Sequence, residues 1–208
     1  MAAPLPLVTL TGSHVELVPL SLDHAEALLA LATDPREPYP FTSVAHDLAG
    51  MRAYIQTALD EQACGLGLPF STRARATGAL VGSTRFARVE RWDWPAGSPE
   101  AGRPMDAVEI GWTWLSPDGQ RTGINTEAKL LMLGHAFETW GVRRVVLKTD
   151  HRNQRSRDAI ARLGLHFEGV LRQYGPGWDG RPRDVAYFTL LEAEWPAAKS
   201  RLIEKLRR

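Results

Sequence analysis

A turn between a predicted strand and a predicted long helix holds the residues best placed for chemistry. It runs Ser116-Pro-Asp-Gly-Gln-Arg-Thr-Gly-Ile-Asn-Thr126. Such a join directs several unpaired backbone N–H groups to one point, where the helix dipole adds partial positive charge. Gly123 lets a ligand approach the backbone without a Cβ in the way, and Arg121 adds a fixed positive charge. Asn125 or Thr126 can cap the helix. The turn therefore suits a phosphate or a pyrophosphate.

Two common phosphate-binding motifs do not fit this turn. A P-loop needs Gly-Lys-Ser/Thr at the start of the helix, whereas Gly123 is followed by Ile and Asn. A dinucleotide-binding fingerprint needs three glycines early in a βαβ unit, and this mid-chain turn offers Gly119 and Gly123 alone. A glycine-containing turn from strand to helix is by itself more often structural than functional. Whether this turn is functional or structural therefore has to be judged from the elements around it.

Hydrophobic periodicity predicts alternating strands and helices around the turn. Strands are predicted over His14–Leu20, Pro69–Arg73, Ala79–Phe86, Val108–Leu115, Val145–Thr149, Phe167–Gln173 and Val185–Leu190. Helices are predicted over Leu22–Ala32, Leu48–Leu59, Thr126–Trp140, Asn153–Leu163 and about residues 193–207. The segments Val89–Asp106 and Tyr174–Asp184 are rich in Gly and Pro and are predicted as loops. This order predicts a single mixed α/β domain over residues 1–208, with one sheet and a core over about residues 14–196.

The strand before the turn carries a carboxylate among apolar residues. Strand alternation places two sets of side chains on opposite faces, Val108, Ile110, Trp112 and Trp114 against Glu109, Gly111 and Thr113. A carboxylate on a central strand is rarely there for packing alone. Glu109 is therefore either a reactive group or a structural partner for an arginine, and the sequence leaves both open.

The composition of the chain argues against several classes of protein. The chain has 208 residues, 44% apolar and 24% charged, with a net charge of +1. These values are typical of a folded soluble protein. They do not show the excess of basic residues that a nucleic-acid-binding protein usually carries. The first seven residues lack a signal-peptide pattern, and no run approaches the ~20 apolar residues of a membrane span. We therefore expect a cytoplasmic protein that binds neither membrane nor nucleic acid.

Metal and thiol chemistry find little support in the sequence. Cys64 is the single cysteine, which excludes an intrachain disulfide and a cysteine-based zinc site. We expect it to be a small packed residue. The six histidines are scattered without metal-ligand spacing, so no metal is predicted. His135 lies inside a predicted helix, and we expect it to be packed or at the surface. His151 lies in the loop just before Asn153, where a structural role is favoured over a functional one.

The turn resembles the acetyl-CoA motif of the GNAT N-acetyltransferases, Gln/Arg-x-x-Gly-x-Gly/Ala. Gln120, Gly123 and Asn125 occupy its three defined positions. A wider set of segments is similar to the branch that contains the ribosomal-protein N-terminal acetyltransferases: Glu109-Ile-Gly-Trp-Thr-Trp-Leu-Ser-Pro117, Asn125-Thr-Glu-Ala-Lys129, His135-Ala-Phe-Glu138, Asn153-Gln-Arg-Ser156, Leu163-Gly164, Glu168-Gly-Val-Leu-Arg172, Arg183-Asp184 and Glu194-Trp195. The resemblance spans Val15 to Pro196. It implies a central, mixed and mostly antiparallel sheet flanked by helices, with acetyl-CoA as co-substrate.

The sequence departs from the family pattern at three positions. Asn125 replaces the last Gly/Ala of the motif, and Asn tolerates a left-handed backbone better than most residues. Many members place a tyrosine general acid where Ile160 stands. Ribosomal-type members use a serine in this helix, which Ser156 matches, and a glutamate in the next strand, which falls on Gly175.

The resemblance implies a set of residues around acetyl-CoA. The pantetheine arm would pair with the backbone of Trp114 and Leu115, and the pyrophosphate would lie in the turn. The implied cofactor-binding residues are Trp114, Leu115, Gln120, Arg121, Thr122, Gly123, Ile124, Asn125, Thr126, Asn153 and Ser156. Asn153 fixes the cofactor arm, caps its helix, or does both.

The implied reaction is direct attack of a neutral amine on the thioester in a ternary complex. It needs a proton acceptor for the ammonium and a donor for the leaving thiolate. We predict Glu109 as the base and Ser156 as the donor, with Tyr174 as an alternative acid or base. An ordinary first-turn helix serine is the competing interpretation of Ser156.

The amine acceptor is not defined by the sequence. The groove that receives it is predicted between Asp34–Ser43 and Tyr174–Asp184, two segments of mixed charge. Tryptophans at 92, 94, 112, 114 and 178 either line this groove or pack in the core and loops. Three hypotheses remain: acetylation of a peptide or protein α-amine, acetylation of a small amine (an amino acid, polyamine or antibiotic), and a CoA-binding module with little catalysis. A homodimer is compatible with each.

Overall fold

The computed structural model describes residues 3–33, 39, 41–42, 44–177 and 179–207. Its strands are β1 (Leu10–Thr11), β2 (Val15–Pro19), β3 (Leu68–Ala74), β4 (Leu80–Glu90), β5 (Ala107–Leu115), β6 (Arg144–Asp150), β7 (His166–Pro176) and β8 (Pro182–Leu191). Its helices are α1 (Ala25–Ala32), α2 (Leu48–Ala63), α3 (Ile124–Gly134), α4 (Gln154–Ala161) and α5 (Trp195–Leu206). The predicted order of elements is confirmed, with β1 added.

The strands form one 8-stranded sheet in the order β1-β2-β3-β4-β5-β6-β8-β7. Neighbouring strands are antiparallel except β5 and β6, which are parallel. The predicted mixed, mostly antiparallel sheet flanked by helices is therefore confirmed. The parallel pairing joins Ala107–Glu109 to Arg144–Val146 and goes no further. Beyond it the two strands part, which opens a cleft in the middle of the sheet.

Helices bury apolar residues on both faces of the sheet. On the face that α3 and α5 cover, the core includes Ile110, Met132, Leu133, Trp195 and Leu202. On the opposite face, which α1 and α2 cover, it includes Leu28, Met51, Ile55 and Trp114. We refer to these as the α3 face and the α2 face.

A β-bulge in β5 overturns the predicted alternation along this strand. Arg85 of β4 pairs with Gly111, but Ser83 pairs with Trp114, so β5 has one extra residue here. Trp112 takes up this residue with a left-handed backbone, at φ 49°. The faces exchange at the bulge because side chains alternate with a period of two. The prediction that Trp112 and Trp114 share a face with Val108 is therefore wrong, since Trp114 packs in the α2-face core.

The predicted loop Tyr174–Asp184 is largely strand. β7 continues to Pro176 and β8 begins at Pro182, and Gly177 N–H donates to Arg181 O at 2.6 Å to close the hairpin. The loop prediction was wrong because Gly and Pro occur here at the irregular end of an edge strand, where the register shifts between Leu171 and Gly175. Tyr174 and Gly175 accordingly lie in β7.

The predicted helices all differ from the observed ones by a few residues, and the differences at α3 and α2 bear on individual residue predictions. The helix after the turn begins at Ile124, and its last turn, His135–Thr139, is a wider π-helical turn. α2 continues to Ala63, which leaves Cys64 at the C-cap and exposed. The expectation of a packed cysteine is therefore wrong. No helix in the described ranges has the length and apolar character needed to span a bilayer.

Candidate active site

The turn after β5 presents backbone N–H groups at the start of α3. Gly123 is the N-cap residue and Arg121 has the left-handed backbone, at φ 56°. Thr122 Oγ1 accepts a hydrogen bond from Ile124 N–H at 3.2 Å and donates to Gly119 O at 2.9 Å. Asn125 and Thr126 both lie inside the helix, so the expectation that one of them caps it is wrong, as is the expectation that Asn125 supplies the left-handed residue. The N–H groups of the first helical turn have no acceptor within the helix.

A buried carboxylate ties this turn to the distant N-terminal part of the chain. Glu127 accepts hydrogen bonds from the N–H groups of Ser13, His14 and Val15 at 2.8, 2.6 and 2.9 Å. The imidazole of His14 consequently lies against Gly123, where a Cβ would approach it to 3.1 Å. Sequence reasoning missed Glu127. Its position on the apolar side of an amphipathic helix, one turn after the motif, was the available signal.

A cavity of about 270 Å³ opens beside the turn. It is lined by His14, Thr122, Gly123, Thr126, Lys205 and Leu206. Lys205 belongs to α5, whose C-terminal end therefore meets the N-terminal end of α3. Backbone donors, a lysine and a glycine without a Cβ fit a phosphate-bearing ligand.

The backbone of Leu115 faces the cleft between β5 and β6. Ser116 N–H donates to Val81 O of β4 at 2.8 Å, so alternation turns the N–H and C=O of Leu115 away from β4. Leu115 O accepts from Tyr39 Oη at 3.0 Å and from Gln120 Nε2 at 2.8 Å. The same alternation directs the backbone of Trp114 to β4. Of Trp114 and Leu115, Leu115 is thus the residue whose main chain can contact a ligand in the cleft.

Gln120 joins the cleft wall to α4. Its Oε1 accepts from Arg155 Nη1 at 3.4 Å, while its amide nitrogen holds Leu115 O. Asn153 is the N-cap residue of α4, and its Oδ1 accepts from Ser156 N–H at 3.1 Å. The structure therefore brings the start of α4 to the turn, with Ser156 in the first turn of that helix.

Glu109 lies where β5 and β6 part, in an ion-pair cluster. Its carboxylate is 2.6 Å from Lys148 Nζ and 3.3 Å from Arg88 Nε, with 7% of its side chain exposed. Burial raises the pKa of the Glu109 carboxyl above its ordinary value, against the opposing charges of Lys148, Arg88 and Arg85. Glu109 thus has cationic partners, and it also has an increased affinity for a proton.

Two tyrosines extend this cluster across β8 and β7. Lys148 Nζ donates to Tyr174 Oη at 3.1 Å and lies 4.9 Å from the centre of that ring. The Tyr187 ring packs edge-on against Tyr174 at 5.7 Å. A hydrogen bond from Tyr187 and the charge of Lys148 lower the pKa of Tyr174, whereas burial raises the pKa of Tyr187. We refer to Glu109, Lys148, Tyr174 and Tyr187 as the acceptor-side cluster.

Sequence reasoning missed Lys148 and Tyr187. The two residues pair across β6 and β8, and the signal was the alternation of polar side chains on one face of these strands. In the described part of the chain, no hydrogen bond joins Ser156 to Glu109. The two predicted catalytic residues therefore lie in different groups of contacts.

The predicted acceptor groove is described in part. Asp34, Arg36, Glu37, Ser43 and Trp178 lie outside the described residues. Tyr39 packs edge-on against Trp114 at 5.8 Å, which places the Tyr39 ring over the cleft. In the second segment Asp179 pairs with Arg152 at 3.2 Å, and Arg152 also pairs with Asp150 at 2.7 Å. These charges therefore satisfy one another in the free protein.

Trp92, Trp94 and His135 have structural surroundings, whereas the buried Nδ1 of His151 has no hydrogen-bond partner among the described residues. Trp92 and Trp94 pack together at 5.7 Å, and Asp106 accepts from the Trp92 backbone and the Trp94 indole. His135 packs against Trp140 at 4.7 Å, as the packing interpretation predicted. His151 donates its backbone N–H to Asp184 O at 3.0 Å in the turn before α4. The described residues contain no cluster of three or more His, Cys, Asp or Glu side chains able to hold a metal.

The fold and the turn define an acyl-CoA-dependent N-acyltransferase of the GNAT type. The family model "Acetyltransferase (GNAT) domain" matches residues 14–166, so the chain belongs to this family and is an acetyltransferase. The resemblance found in the sequence is thereby confirmed.

Individual known proteins resemble the chain in sequence or in structure. YdaF of Bacillus subtilis, which carries the name of a ribosomal N-acetyltransferase, is 33% identical over 92 residues, and the match covers 44% of this chain and 49% of YdaF. A structure from T. thermophilus, described as an acetyltransferase, is 33% identical with a TM-score of 0.78, over 99% of this chain and 100% of that one. The structure of Mycobacterium smegmatis RimJ in complex with CoA-disulfide shares the fold, at 24% identity and a TM-score of 0.75, over 97% and 93% of the two chains.

Proposed function

We propose that this enzyme transfers the acetyl group of acetyl-CoA to the α-amine of a peptide or protein N-terminus, with ribosomal proteins as the acceptor class. One observation carries the donor half: the free N–H groups of the α3 start and the inward-facing backbone of Leu115 lie at one end of the same cleft. The name of YdaF supports the acceptor class. The proposal includes a homodimer in the cytoplasm, where acetyl-CoA and ribosomal proteins meet.

The residues of the turn fit the cofactor's phosphates. The N–H groups of Gly123, Asn125 and Thr126 bind the pyrophosphate, with positive charge from Arg121 and the helix dipole. Leu115 pairs with the pantetheine arm after Tyr39 and Gln120 release its carbonyl. Asn153 keeps the start of α4 against this arm. Bound acetyl-CoA supplies a thioester that an amine can attack.

Two side chains, Glu109 and Ser156, carry out the proton transfers. Glu109 accepts a proton from the acceptor ammonium, because its burial favours the protonated carboxyl. Lys148 and Arg88 hold its carboxylate in place. The Ser156 hydroxyl donates a proton to the departing thiolate and regains one from solvent, so that free CoA thiol is released. A general base of this kind contributes roughly 10²–10⁴-fold to the rate.

Release of free CoA tests this function directly. Purified protein is incubated with acetyl-CoA and, in parallel, with short peptides bearing ribosomal-protein N-termini and with a panel of small amines. Turnover confined to the peptides supports the proposal. Turnover with small amines alone rejects the acceptor class, and acetyl-CoA binding without thiol release from any amine identifies a CoA-binding module instead. Sedimentation velocity of the same preparation tests the dimer.

A further inference from the structure

Lys129 is a buried lysine that neither the fold nor the proposed reaction explains. It lies on α3 with 3% of its surface exposed. Its Nζ is 2.6 Å from Thr113 Oγ1 and 3.0 Å from Thr84 Oγ1, and the two hydroxyl oxygens are 2.7 Å apart. No ion pair to Lys129 is present among the described residues. The amine is therefore held by two hydroxyls in an otherwise apolar core.

This arrangement disfavours a charged amine. Burial lowers the pKa of Lys129 to about 7, so the amine is largely neutral above that pH. A neutral amine can accept a hydrogen bond from one threonine hydroxyl and donate to the other. Met132 and Leu133, both fully buried neighbours on α3, show that the helix can fill this layer with apolar side chains. Packing alone does not require an amine here.

The positions of Lys129, Thr84 and Thr113 in the sheet indicate their structural role. Thr84 lies between Ser83 and Arg85, where the β4–β5 register shifts, and Thr113 follows the left-handed Trp112. Lys129 therefore binds the bulge from the α3 face. From the α2 face the Arg85 guanidinium stacks on the Trp112 ring at 4.0 Å. The bulge is held on both sides of the sheet.

The bulge determines which way the backbone of Leu115 points. Without the extra residue, every residue after Gly111 would change face, and its N–H and C=O would change direction with it. Leu115 would then direct these groups to β4 rather than to the cleft. The contacts that hold the bulge therefore control the wall of the donor site.

We propose that Lys129 is a positioning residue that fixes the β5 bulge through Thr84 and Thr113 and thereby keeps the Leu115 backbone directed into the cofactor cleft. The consequence for cofactor binding rests on the proposed function, whereas the effect on the strand does not. Lys129 acts through the backbone and touches no reacting atom.

Lys129→Met is the principal variant, because it keeps the length of the side chain and removes the amine. Three measurements apply at pH 8: hydrogen–deuterium exchange of residues 107–116 in the free protein, CoA affinity by calorimetry, and the thermal midpoint of unfolding. We expect faster exchange over 111–116 and about tenfold weaker CoA binding, equivalent to about 1.4 kcal/mol. The thermal midpoint should not fall. Lys199→Met, at an exposed ion pair with Glu138, is the matched control and should leave all three unchanged.

Thr113→Val provides a second route, since it keeps the β-branched shape and the amine. We expect the same faster exchange and weaker CoA binding, and the double variant should be no worse than Lys129→Met alone because the groups act as a unit. This variant carries the test if Lys129→Met does not fold. Wild-type exchange rates and CoA affinity within twofold in the variants would overturn the proposal. Wild-type protein that binds no CoA would instead reject the proposed function, and the exchange measurement would still decide the role of Lys129.

Discussion

The donor side and the acceptor side of the cleft are built in different ways. The proposed donor side is a short stretch of chain, Gln120–Thr126, which presents backbone N–H groups at the start of α3 and whose position is fixed by Glu127. The acceptor side consists of side chains from separate strands, with Glu109 on β5, Lys148 on β6, and Tyr174 and Tyr187 on β7 and β8. A backbone site tolerates most side-chain changes, whereas a side-chain cluster depends on each member.

Glu109→Gln is expected to have the largest effect, because it removes the proton acceptor from the acceptor side. We expect kcat to fall by roughly 10²–10³-fold, within the range of general-base contributions, with the KM for acetyl-CoA unchanged. Steady-state kinetics with the best peptide acceptor measure both. Glu16→Gln, in the ion pair with Arg73 at the other end of the sheet, should keep full activity. Turnover that survives Glu109→Gln would show that Glu109 is only a partner for Lys148 and Arg88.

Glu127→Ala should damage the donor side through stability rather than chemistry. The change leaves three partly or fully buried N–H groups without their acceptor, and hydrogen bonds to a charged group contribute about 1.5–3 kcal/mol each. We expect the free energy of unfolding to fall by about 3 kcal/mol or more. Urea denaturation measures this value. A loss below about 1 kcal/mol, the median of an exposed pair, would mean that solvent replaces these bonds easily.

The stability of the protein should depend on pH through Lys129. Its folded-state pKa is about 7 and its ordinary value is 10.5. Between these values the unfolded chain binds the proton and the folded chain does not, so wild-type stability rises with pH over this window. Below about pH 7 the amine is charged in both states, and the free-energy cost of burying that charge is fully present. Lys129→Met lacks this dependence, so the variant should exceed wild type most at neutral pH, by up to a few kcal/mol at about 1.4 kcal/mol per pH unit, and less at pH 10. Denaturation curves at several pH values compare the two proteins.

Tyr174→Phe should have the smallest effect of the four changes. Its hydroxyl contacts Lys148 rather than Glu109, so we expect kcat to fall by less than about tenfold, below the usual general-base range. The pH–rate profile of the variant separates the alternatives. A loss above 10²-fold, together with the disappearance of one limb of the profile, would make Tyr174 the acid or base and reduce Glu109 to its partner.

The contrast between a contiguous donor turn and a dispersed acceptor-side cluster explains what could be predicted from the sequence. The donor turn was recognised because its determinants are contiguous: a strand, a glycine turn and a helix start. The order of strands and helices was predicted for the same reason, since hydrophobic periodicity is local. Glu127 and Lys129 were missed as anchors, because their partners lie in β2, β4 and β5, far along the chain.

The errors share one physical cause. Alternation along β5 was extended past Ile110 because a bulge has no signal of its own when Trp112, rather than glycine, adopts the left-handed backbone. The Gly and Pro content of Tyr174–Asp184 predicts a loop, whereas the pairing of β7 with β8 makes it a hairpin. In both places tertiary pairing prevailed over local preference. The acceptor-side cluster depends on the same long-range pairing, which is why Lys148 and Tyr187 escaped notice.

The Glu127 anchor has a consequence for the order of events during protein synthesis. The hydrogen bond to His14 N–H joins residues 113 positions apart, and the cavity beside it is completed by Lys205 and Leu206 of α5. A nascent chain can therefore form β2, β3 and α2 early, yet it cannot close the donor pocket until α5 has left the ribosomal exit tunnel. We expect cofactor affinity to arise only once α5 has been synthesised and has packed beside the start of α3.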